Sequence, residues 1–351
     1  MYRKLLFIIL LFVSAAAPIQ IKAFSLALDS VATWGRFPKF CVDVYRWGDR
    51  TFNSYDSTYV VGTGKKFNIK FKTDTWLDYY SFDFENDTHI SMISSPSTSL
   101  GVWLTYLAVS AGYDVNVSKY FNGGDRVRKR FNFQFNCSLF AADIYYLSND
   151  VNTRINSFGP KDNPWNPDLK FYGIDNKTYG IDTYYFFNHK KYSQGAAFNY
   201  SKLQRRSAGS FYAGLSIWLR EYSFDFSELP DEMKQYLPTT LPGYKYSAKS
   251  NNYAFKLGYG YNWVLSKKWL IGASVAPCIG FRYGYICDPN DSRYSFSFYN
   301  KARLSVIFNN RDFFMGIIGK QEMGIRTDNP YTLLDMAMSI EASVGFRFNL
   351  W

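Results

Sequence analysis

The chain has 351 residues, of which 20% are aromatic, and its 40 Lys and Arg against 29 Asp and Glu give a formal net charge of +11. This aromatic content excludes a disordered chain, which has too little apolar surface to offset the entropy lost on folding. Beyond the first two dozen residues no run of 18 apolar residues occurs, which argues against an α-helical membrane protein. The length suits one large domain or two ordinary ones.

The first 23 residues have the pattern of an export signal. Arg3 and Lys4 precede an unbroken apolar run over 5–13, and small residues follow. Cleavage is possible after the alanines at 15–17 or after Ala23, and we favour Ala23. A retained membrane anchor would need about twenty apolar residues. Cleavage after Ala23 removes Arg3, Lys4 and Lys22, which lowers the formal net charge from +11 to +8.

The remainder of the chain divides at about residue 55. Residues 24–55 lack a two-residue pattern, and we expect an N-terminal periplasmic segment or plug there. From 56 to 351, apolar and polar side chains alternate along many stretches, which predicts β-strands because successive strand side chains point to opposite faces. Twelve strands are predicted, at 65–73, 76–85, 100–117, 129–146, 178–188, 195–203, 208–222, 252–265, 269–285, 293–309, 313–326 and 331–350.

The connections between the predicted strands differ in length. Short turns occur at 266–268 and 309–312, whereas long or polar loops occur at 222–251, 288–292 and 327–330. Short turns on one side, longer loops on the other and long aromatic strands indicate an all-β, transmembrane antiparallel β-barrel of about twelve strands. Such a barrel must close, since lipid offers no partner to a strand edge. An even count places both termini in the periplasm and the loop at 223–251 outside. It also leaves an unusually long periplasmic stretch at 147–177.

Several motifs resemble those of a bacterial family of unknown function. They lie at 59–64 (YVVGTG), 91–94 (SMIS), 96–101 (PSTSLG), 184–190 (YYFFNHK), 210–215 (SFYAGL) and 259–262 (YGYN). The resemblance covers most of the chain from about residue 50 to the end. It implies an outer-membrane β-barrel formed after signal-peptide removal in a Gram-negative bacterium, and it supplies no activity.

The last residues are expected to be the assembly signal that the barrel-insertion machinery reads. Outer-membrane barrels usually end in an aromatic residue, and here Phe348 and Leu350 precede Trp351. Trp351 departs from the usual pattern, because it is in register with the polar Asn349 and not with the apolar face. A bulge at the terminus, or a last residue outside the ladder, would account for this.

Cysteine and histidine are scarce. Cys278 and Cys287 are nine residues apart and are either bridged or, as we favour, free thiols, while Cys41 and Cys137 have no partner at a motif spacing. His89 and His189 are the only histidines in the sequence, so a zinc site has almost nothing to build from, and we expect no metal and no cofactor.

The one weak catalytic candidate is His189. It lies in a loop that the predicted topology places outside, with Asp182 and Ser193 nearby, so a Ser-His-Asp hydrolase is one interpretation. A solvated loop histidine beside basic residues that contact lipid phosphate is the other, and we favour it. His89 falls near the inner rim in the same topology. Motifs for lipases, nucleotide binding and zinc proteases are absent from the sequence.

Two groups of charged residues remain. A basic run after the Gly123-Gly124 turn is expected in an outer loop, where it would contact lipopolysaccharide or anionic lipid phosphates rather than nucleic acid, or be a solvated face. It consists of Arg126, Arg128, Lys129 and Arg130. A second group shares the polar face of the C-terminal strands and is expected to project into the lumen. It consists of Lys256, Arg282, Lys301, Arg303, Lys320, Glu322, Glu341 and Arg347.

The lumen group has two interpretations. One is a salt-bridged network that fills a narrow barrel, since buried charges must be paired. The other is a pore that prefers anions, because rings of Lys and Arg set selectivity. The sequence therefore predicts an outer-membrane barrel that is a channel, a transport component or a structural surface barrel, with lipid and lipopolysaccharide as its surroundings. An outer-membrane hydrolase acting on lipid or peptide through His189 is the alternative.

Overall fold

The computed structural model describes residues 35, 36, 39, 43, 51–106, 109–118, 129–149, 152–239, 241–288, 290, 292–328 and 331–349. The chain divides into two compact units, 1–47 with 349–351 and 48–348. In the first unit the backbone N–H of Lys39 donates to the carbonyl of Gly35 at 3.1 Å. The expected signal peptide at 1–23 and all but a few residues of the expected segment at 24–55 lie outside the described residues.

The larger unit is built almost entirely of strands. In chain order they are β1 Val60–Gly62, β2 Phe67–Phe84, β3 Thr88–Ser94, β4 Ser97–Tyr106, β5 Val109–Asn116, β6 Lys129–Asn136, β7 Phe140–Asn149, β8 Thr153–Pro160, β9 Leu169–Phe171, β10 Ile174–Phe186, β11 Lys202–Gln204, β12 Ala208–Asp225, β13 Lys245–Val264, β14 Trp269–Ile286, β15 Arg293–Asn309, β16 Phe313–Asp328 and β17 Tyr331–Phe348. Two short helices are α1 Gln194–Phe198 and α2 Asp231–Lys234, and 3-10 turns lie at Phe226–Glu228 and Pro242–Tyr244. Among the described residues, no helix is long and apolar enough to cross a membrane.

Twelve of these strands form a closed antiparallel barrel. Its order is β2, β4, β5, β6, β7, β10, β12, β13, β14, β15, β16 and β17, and β17 returns to pair with β2. The closing ladder runs from Tyr331 opposite Phe84 to Phe348 opposite Phe67, so it spans both strands completely. Closure leaves no unpaired edge, as a strand structure in lipid requires. The predicted fold and strand number are confirmed.

The membership of the barrel differs from the prediction in four places. The segments predicted at 65–73 and 76–85 are one strand, β2, because Asp74 and Thr75 between them continue the alternation, with Asp74 buried in the lumen, and mark no turn. The segments at 100–117 and 129–146 each contain parts of two strands that pair antiparallel, β4 with β5 and β6 with β7, and the residues between those strands include no Gly or Pro. The segment at 195–203 is not a spanning strand, since it holds α1 and the start of β11. These differences cancel in the count.

The two ends of the barrel are unlike. At the short-turn end lie β1, the segment 187–207 and the turns at 265–268 and 310–312. At the long-loop end, β2 leaves β4 after Trp76 and pairs with β3, which extends the sheet through β8 to β9. The stretch 147–177 therefore shares its end with 223–251, which corrects its expected periplasmic position.

The wall of the barrel is apolar outside and polar inside. Along β13 exposure alternates residue by residue, so that Phe255 and Leu257 are 53% and 50% exposed while Lys256 between them is 0% exposed. On β17 the apolar set at Met338, Ile340 and Val344 is exposed, whereas Glu341 and Arg347 are buried. This arrangement is the inverse of a water-soluble protein and is typical of barrels whose outer surface faces lipid.

Candidate functional site: the closed lumen

The lumen-facing charges of the C-terminal strands lie where alternation places them, on the inner surface of the wall. Lys301, Arg303, Lys320, Glu322 and Glu341 line one internal cavity of about 120 Å³. A water needs about 10–15 Å³ of such space, so the cavity has room for about ten waters. Lys256 is buried against Asp182, Arg282 is buried with its Nε donating to the Ser295 Oγ at 2.7 Å, and Arg347 is buried towards the short-turn end.

The first ion-pair group is centred on Asp182 of β10. Its carboxylate accepts from the Nζ of Lys256 at 2.7 Å and from the Nζ of Lys301 at 2.6 Å, and the Ser216 hydroxyl also donates to it. Asp182 and Lys256 are almost completely buried, with side chains 5% and 0% exposed. Two ammonium groups on one carboxylate give this group an excess positive charge.

The second group is centred on Glu341 of β17. Its oxygens lie 3.2 Å from the Nζ of Lys70, 2.8 Å from that of Lys320 and 3.9 Å from that of Lys72. Lys72 also pairs with Asp114 of β5 at 3.0 Å. The group therefore links β16 and β17 to the N-terminal strands on the far side of the closing ladder.

The third group joins Asp335 to two arginines. Arg220 and Arg326 donate to its carboxylate at 3.1 and 2.9 Å, and the hydroxyl of Tyr222 donates at 3.1 Å. Arg303 stands apart, donating to the hydroxyl of Tyr184 at 2.9 Å with Asp143 at 4.0 Å.

Most of these carboxylates were not predicted from the sequence. Asp143 and Asp335 are absent from the predicted lumen group, and Asp182 was predicted only as a partner of His189. The signal was present in part, because Asp335 shares the inward parity of Glu341 on β17. With them included, the charged residues lining the cavity are six cations and six carboxylates, namely Lys70, Lys72, Arg220, Lys301, Arg303, Lys320, Asp78, Asp143, Asp182, Glu322, Asp335 and Glu341. This balance supports the salt-bridged network over the anion-preferring pore.

The short-turn end of the lumen is closed by residues 187–207, which we call the plug segment. Ser193 caps α1 by accepting from the N–H of Ala196 at 3.1 Å, and the buried Ala196, Ala197 and Phe198 turn into the barrel mouth. Two wall glycines leave room for it. A Cβ on Gly260 would lie 2.3 Å from the Tyr192 hydroxyl oxygen, and one on Gly272 would lie 2.5 Å from the Ala197 Cβ.

Polar side chains of the wall hold the plug segment. Asn262 donates to the carbonyl of Ser193 at 2.9 Å and to the side chain of Gln204 at 3.1 Å. The hydroxyls of Tyr200 and Ser343 lie 2.5 Å apart, and Arg347 donates to the carbonyl of Tyr200. Phe198 and its neighbour Asn199 line the cavity, so the plug segment forms its floor.

The long-loop end is closed by a large apolar cluster. Phe82, Phe224, Phe226 and Tyr246 are at most 1% exposed, and their rings meet edge-on at 4.7 to 5.9 Å around Phe82. Residues from β3, β8 and the 226–241 segment complete this cluster. The cavity thus lies between an apolar closure and a polar-anchored one.

The predicted Ser-His-Asp set is not assembled. Asp182 is in the lumen, Ser193 caps α1, and His189 contacts Ser54 instead, with its Nε2 3.4 Å from the Ser54 Oγ. His189 belongs to the short-turn end and not to the end of the long loops, which corrects its expected side. Burial, together with the charge of Lys190, lowers the pKa of His189. His89 lies at the opposite end, on β3, with its Nδ1 2.8 Å from Asp83.

The remaining predicted residues lie outside the described part of the chain, within strands or at the ends of strands. Arg126, Arg128, Leu350 and Trp351 lie outside the described residues, as does Cys41. Lys129 and Arg130 begin β6, and Phe348 ends β17. Cys278 lies within β14 and Cys287 just beyond its end, about 30 Å further at 3.4 Å per residue, so a bridge between them is excluded. Among the described residues, no group of three His, Cys, Asp or Glu is placed to hold a metal ion.

The family of the chain follows from a comparison with family models. Residues 54–348 match the domain of unknown function DUF4421. The chain belongs to this family. This confirms the resemblance seen in the short motifs, and the DUF4421 match includes every strand of the barrel. Among the curated proteins compared, none matches the chain.

Several solved structures are similar to this DUF4421 barrel in fold. The outer membrane protease OmpT from Escherichia coli is 8% identical with a TM-score of 0.42, and the match covers 82% of this chain and 98% of that one. The Pseudomonas putida toluene transporter TodX is 6% identical with a TM-score of 0.26, covering 82% and 91%. The β domain of the Bordetella autotransporter BrkA is 10% identical with a TM-score of 0.30, covering 79% and 99%. At these values the likeness carries no inference about activity.

Proposed function

We propose that the protein is an integral barrel of a Gram-negative outer membrane, exported through a cleaved signal peptide, that acts as a closed structural surface barrel. The outward-facing apolar wall and the pattern of residues 1–23 support the location. Its expected surroundings are outer-membrane lipid and lipopolysaccharide, and the barrel-insertion machinery is its expected assembly partner.

The observation that carries this proposal is the double closure of the lumen. The plug segment occupies one mouth, the apolar cluster occupies the other, and ion pairs cross the space between them. An ion entering this space would have to displace paired charges, which are costly to separate in a buried site. A continuous aqueous path, the requirement for a porin, is therefore not expected in this conformation.

Two measurements test the proposal. The mature protein should fractionate with outer membranes and migrate differently on gels with and without heating, and recovery as a soluble periplasmic monomer would contradict the membrane location. In a planar bilayer the refolded protein should give no steady conductance, with an open porin as the positive control. A stable open-channel current from the unmodified protein would contradict the closed barrel.

Hydrolysis is the second candidate, and its support is the contact between Ser54 and His189. A hydroxyl beside an imidazole is the minimal arrangement for an activated nucleophile, although 3.4 Å is longer than the usual 2.6–3.2 Å. The test is to assay ester and peptide hydrolysis by the parent protein and by Ser54→Ala and His189→Ala. We expect no hydrolysis in any of them. If the parent protein hydrolyses a substrate and both variants lose that activity, the protein is a hydrolase and the proposed structural role is wrong.

A further inference from the structure

The short-turn end carries a concentration of positive charge, of which only the basic residues beside His189 were noted from the sequence. Its described segments, 51–66, 187–207, 265–268 and 310–312, contain ten Lys and Arg against Asp56 and Asp312. Nine of the cations are exposed. We call these nine the basic arc: Lys65, Lys66, Lys190, Lys191, Arg205, Arg206, Lys267, Lys268 and Arg311.

The described part of the long-loop end is nearly balanced in charge. Its segments 83–96, 129–130, 152–177, 221–239, 241–251, 284–288 and 292–293 contain twelve Asp and Glu against ten Lys and Arg. Six of those ten cations are in ion pairs, such as Lys177 with Asp175 and Lys249 with Glu221. In the basic arc Lys65 pairs with Asp312 at 3.1 Å, and the charges of Lys191 and Arg206 act on the carboxylate of Asp56. These two carboxylates face nine exposed cations, so the short-turn segments keep an excess of positive charge.

The basic arc borders a band of exposed aromatic side chains. Trp263 and Trp269 flank the turn that carries Lys267 and Lys268, and they are 44% and 41% exposed. Phe187, the first residue of the plug segment, and Phe346, opposite Phe313 next to the turn of Arg311, are exposed at the same end. Aromatic girdles mark the headgroup level of a transmembrane barrel, so cations directly beyond the girdle lie at the depth of lipid phosphates.

The basic arc follows only part of the rim. It runs from the start of β2 past the β15–β16 and β13–β14 turns to the plug segment between β10 and β12. The β6–β7 turn on the remaining side, Cys137-Ser138-Leu139, carries no charge. If the cations served only to keep the rim soluble, they would be expected all around it. Their restriction to one part of the rim instead suits the binding of an anionic ligand on that side of the barrel.

We propose that the basic arc binds the phosphate groups of anionic phospholipids in the leaflet at the short-turn end, which is the periplasmic leaflet. The inference rests on the proposed membrane location, because it needs the girdle to lie in a bilayer. Lys and Arg are attracted to anionic lipid surfaces within about one Debye length, so only residues at headgroup depth contribute. Arg311 adds bidentate donors that suit a phosphate.

The test compares lipid selection by the parent protein with that of two matched variants. The mature chain is reconstituted in phosphatidylcholine vesicles with and without phosphatidylglycerol, and the lipids that remain bound after detergent extraction are measured. One variant, Lys267→Gln with Lys268→Gln and Arg311→Gln, removes three charges from the basic arc. The control, Lys177→Gln with Lys245→Gln and Lys249→Gln, removes three from the opposite rim. Heat-modifiable migration establishes that each is folded.

We expect the parent protein and the control to retain phosphatidylglycerol preferentially, and the basic-arc variant to lose about fivefold or more of that preference. Equal retention by all three overturns the inference while leaving the barrel in the membrane. Failure of the parent protein to enter either vesicle overturns the membrane location and this inference with it. Binding of soluble polyglutamate by the parent protein, without any preference for phosphatidylglycerol, would instead identify an acidic polymer as the partner and overturn the lipid.

Discussion

The two closures of the barrel use different physics. At the long-loop end, Phe82, Phe224 and Phe226 are buried completely, and apolar burial is large and independent of direction. At the short-turn end, the plug segment depends on directed contacts from Asn262 and Arg347, with a smaller apolar cluster around Phe314. A typical hydrogen bond contributes only about 0.5–1.5 kcal/mol net. The comparison therefore predicts that the barrel opens first at the plug segment.

The largest expected effect tests the apolar closure. Phe224→Ala removes a ring that contacts Phe82, Phe226 and Tyr246, and it should lower the free energy of unfolding by about 3–5 kcal/mol. Phe211→Ala is the matched control, because Phe211 is 61% exposed on the outer wall. The measurement is denaturant unfolding in detergent or lipid. Equal losses from the two variants would mean that the long-loop end is not a packed core.

The next effect tests the wall that joins the two closures. Leu304 is 57% exposed outside, while its neighbour Arg303 faces the cavity. Leu304→Arg should cost about 2–4 kcal/mol near mid-bilayer and impair assembly. Arg303→Ala should still insert, with reduced thermal stability from the loss of its contacts to Tyr184 and Asp143 and with no new conductance.

An assembly defect in Arg303→Ala combined with normal assembly of Leu304→Arg would reverse the assignment of the two faces. Phe298→Arg is a second test of the lipid-facing side of β15, since Phe298 is 40% exposed on that strand.

A smaller effect tests the plug segment. Asn262→Ala leaves the Ser193 carbonyl and the Gln204 side chain without this donor. The loss should lower the stability of the closed plug segment by about 1–3 kcal/mol. Brief openings should then appear in planar-bilayer recordings. Asn252→Ala is the matched control on the same strand, because Asn252 donates to Trp218 and Ser250 in the wall and not to the plug segment. Openings of equal frequency in both variants would place the gate elsewhere.

Alternation along the strand made most of the barrel predictable. The segments at 293–309 and 331–350 agree closely with β15 and β17, since long strands that face lipid and lumen leave a period of two. The turn at 137–139 was missed because it carries no Gly, Pro or Asn. The plug segment was taken for a strand because Phe198 and Tyr200 mimic alternation, although they pack into a barrel mouth.

The ion pairs were predictable only as an inward-facing set. Parity identified Lys301 and Glu341, but Lys301 meets Asp182 across 119 residues of sequence, and that pairing exists only after closure brings β10 and β15 to one lumen. Arg303 of β15 meets Asp143 of β7 for the same reason. The alternation within one strand determines whether a side chain faces the lumen or the lipid. Which residue it then contacts depends on how all the strands of the barrel are arranged.

The smallest effect concerns the acid response of the short-turn end. Burial lowers the pKa of His189 below its ordinary value of 6.5, so the neutral imidazole is the form that suits the folded plug segment. Its contribution to stability is complete above about pH 6.5 and is lost as the pH falls towards the lowered pKa. The thermal midpoint of the parent protein should therefore fall slightly more between about pH 7.5 and 5.5 than that of His189→Gln, which has no imidazole to protonate. His89→Gln, at the other end of the barrel, should keep the acid response of the plug segment. An identical pH dependence in the parent protein and His189→Gln would show that this histidine does not couple acid to the closure.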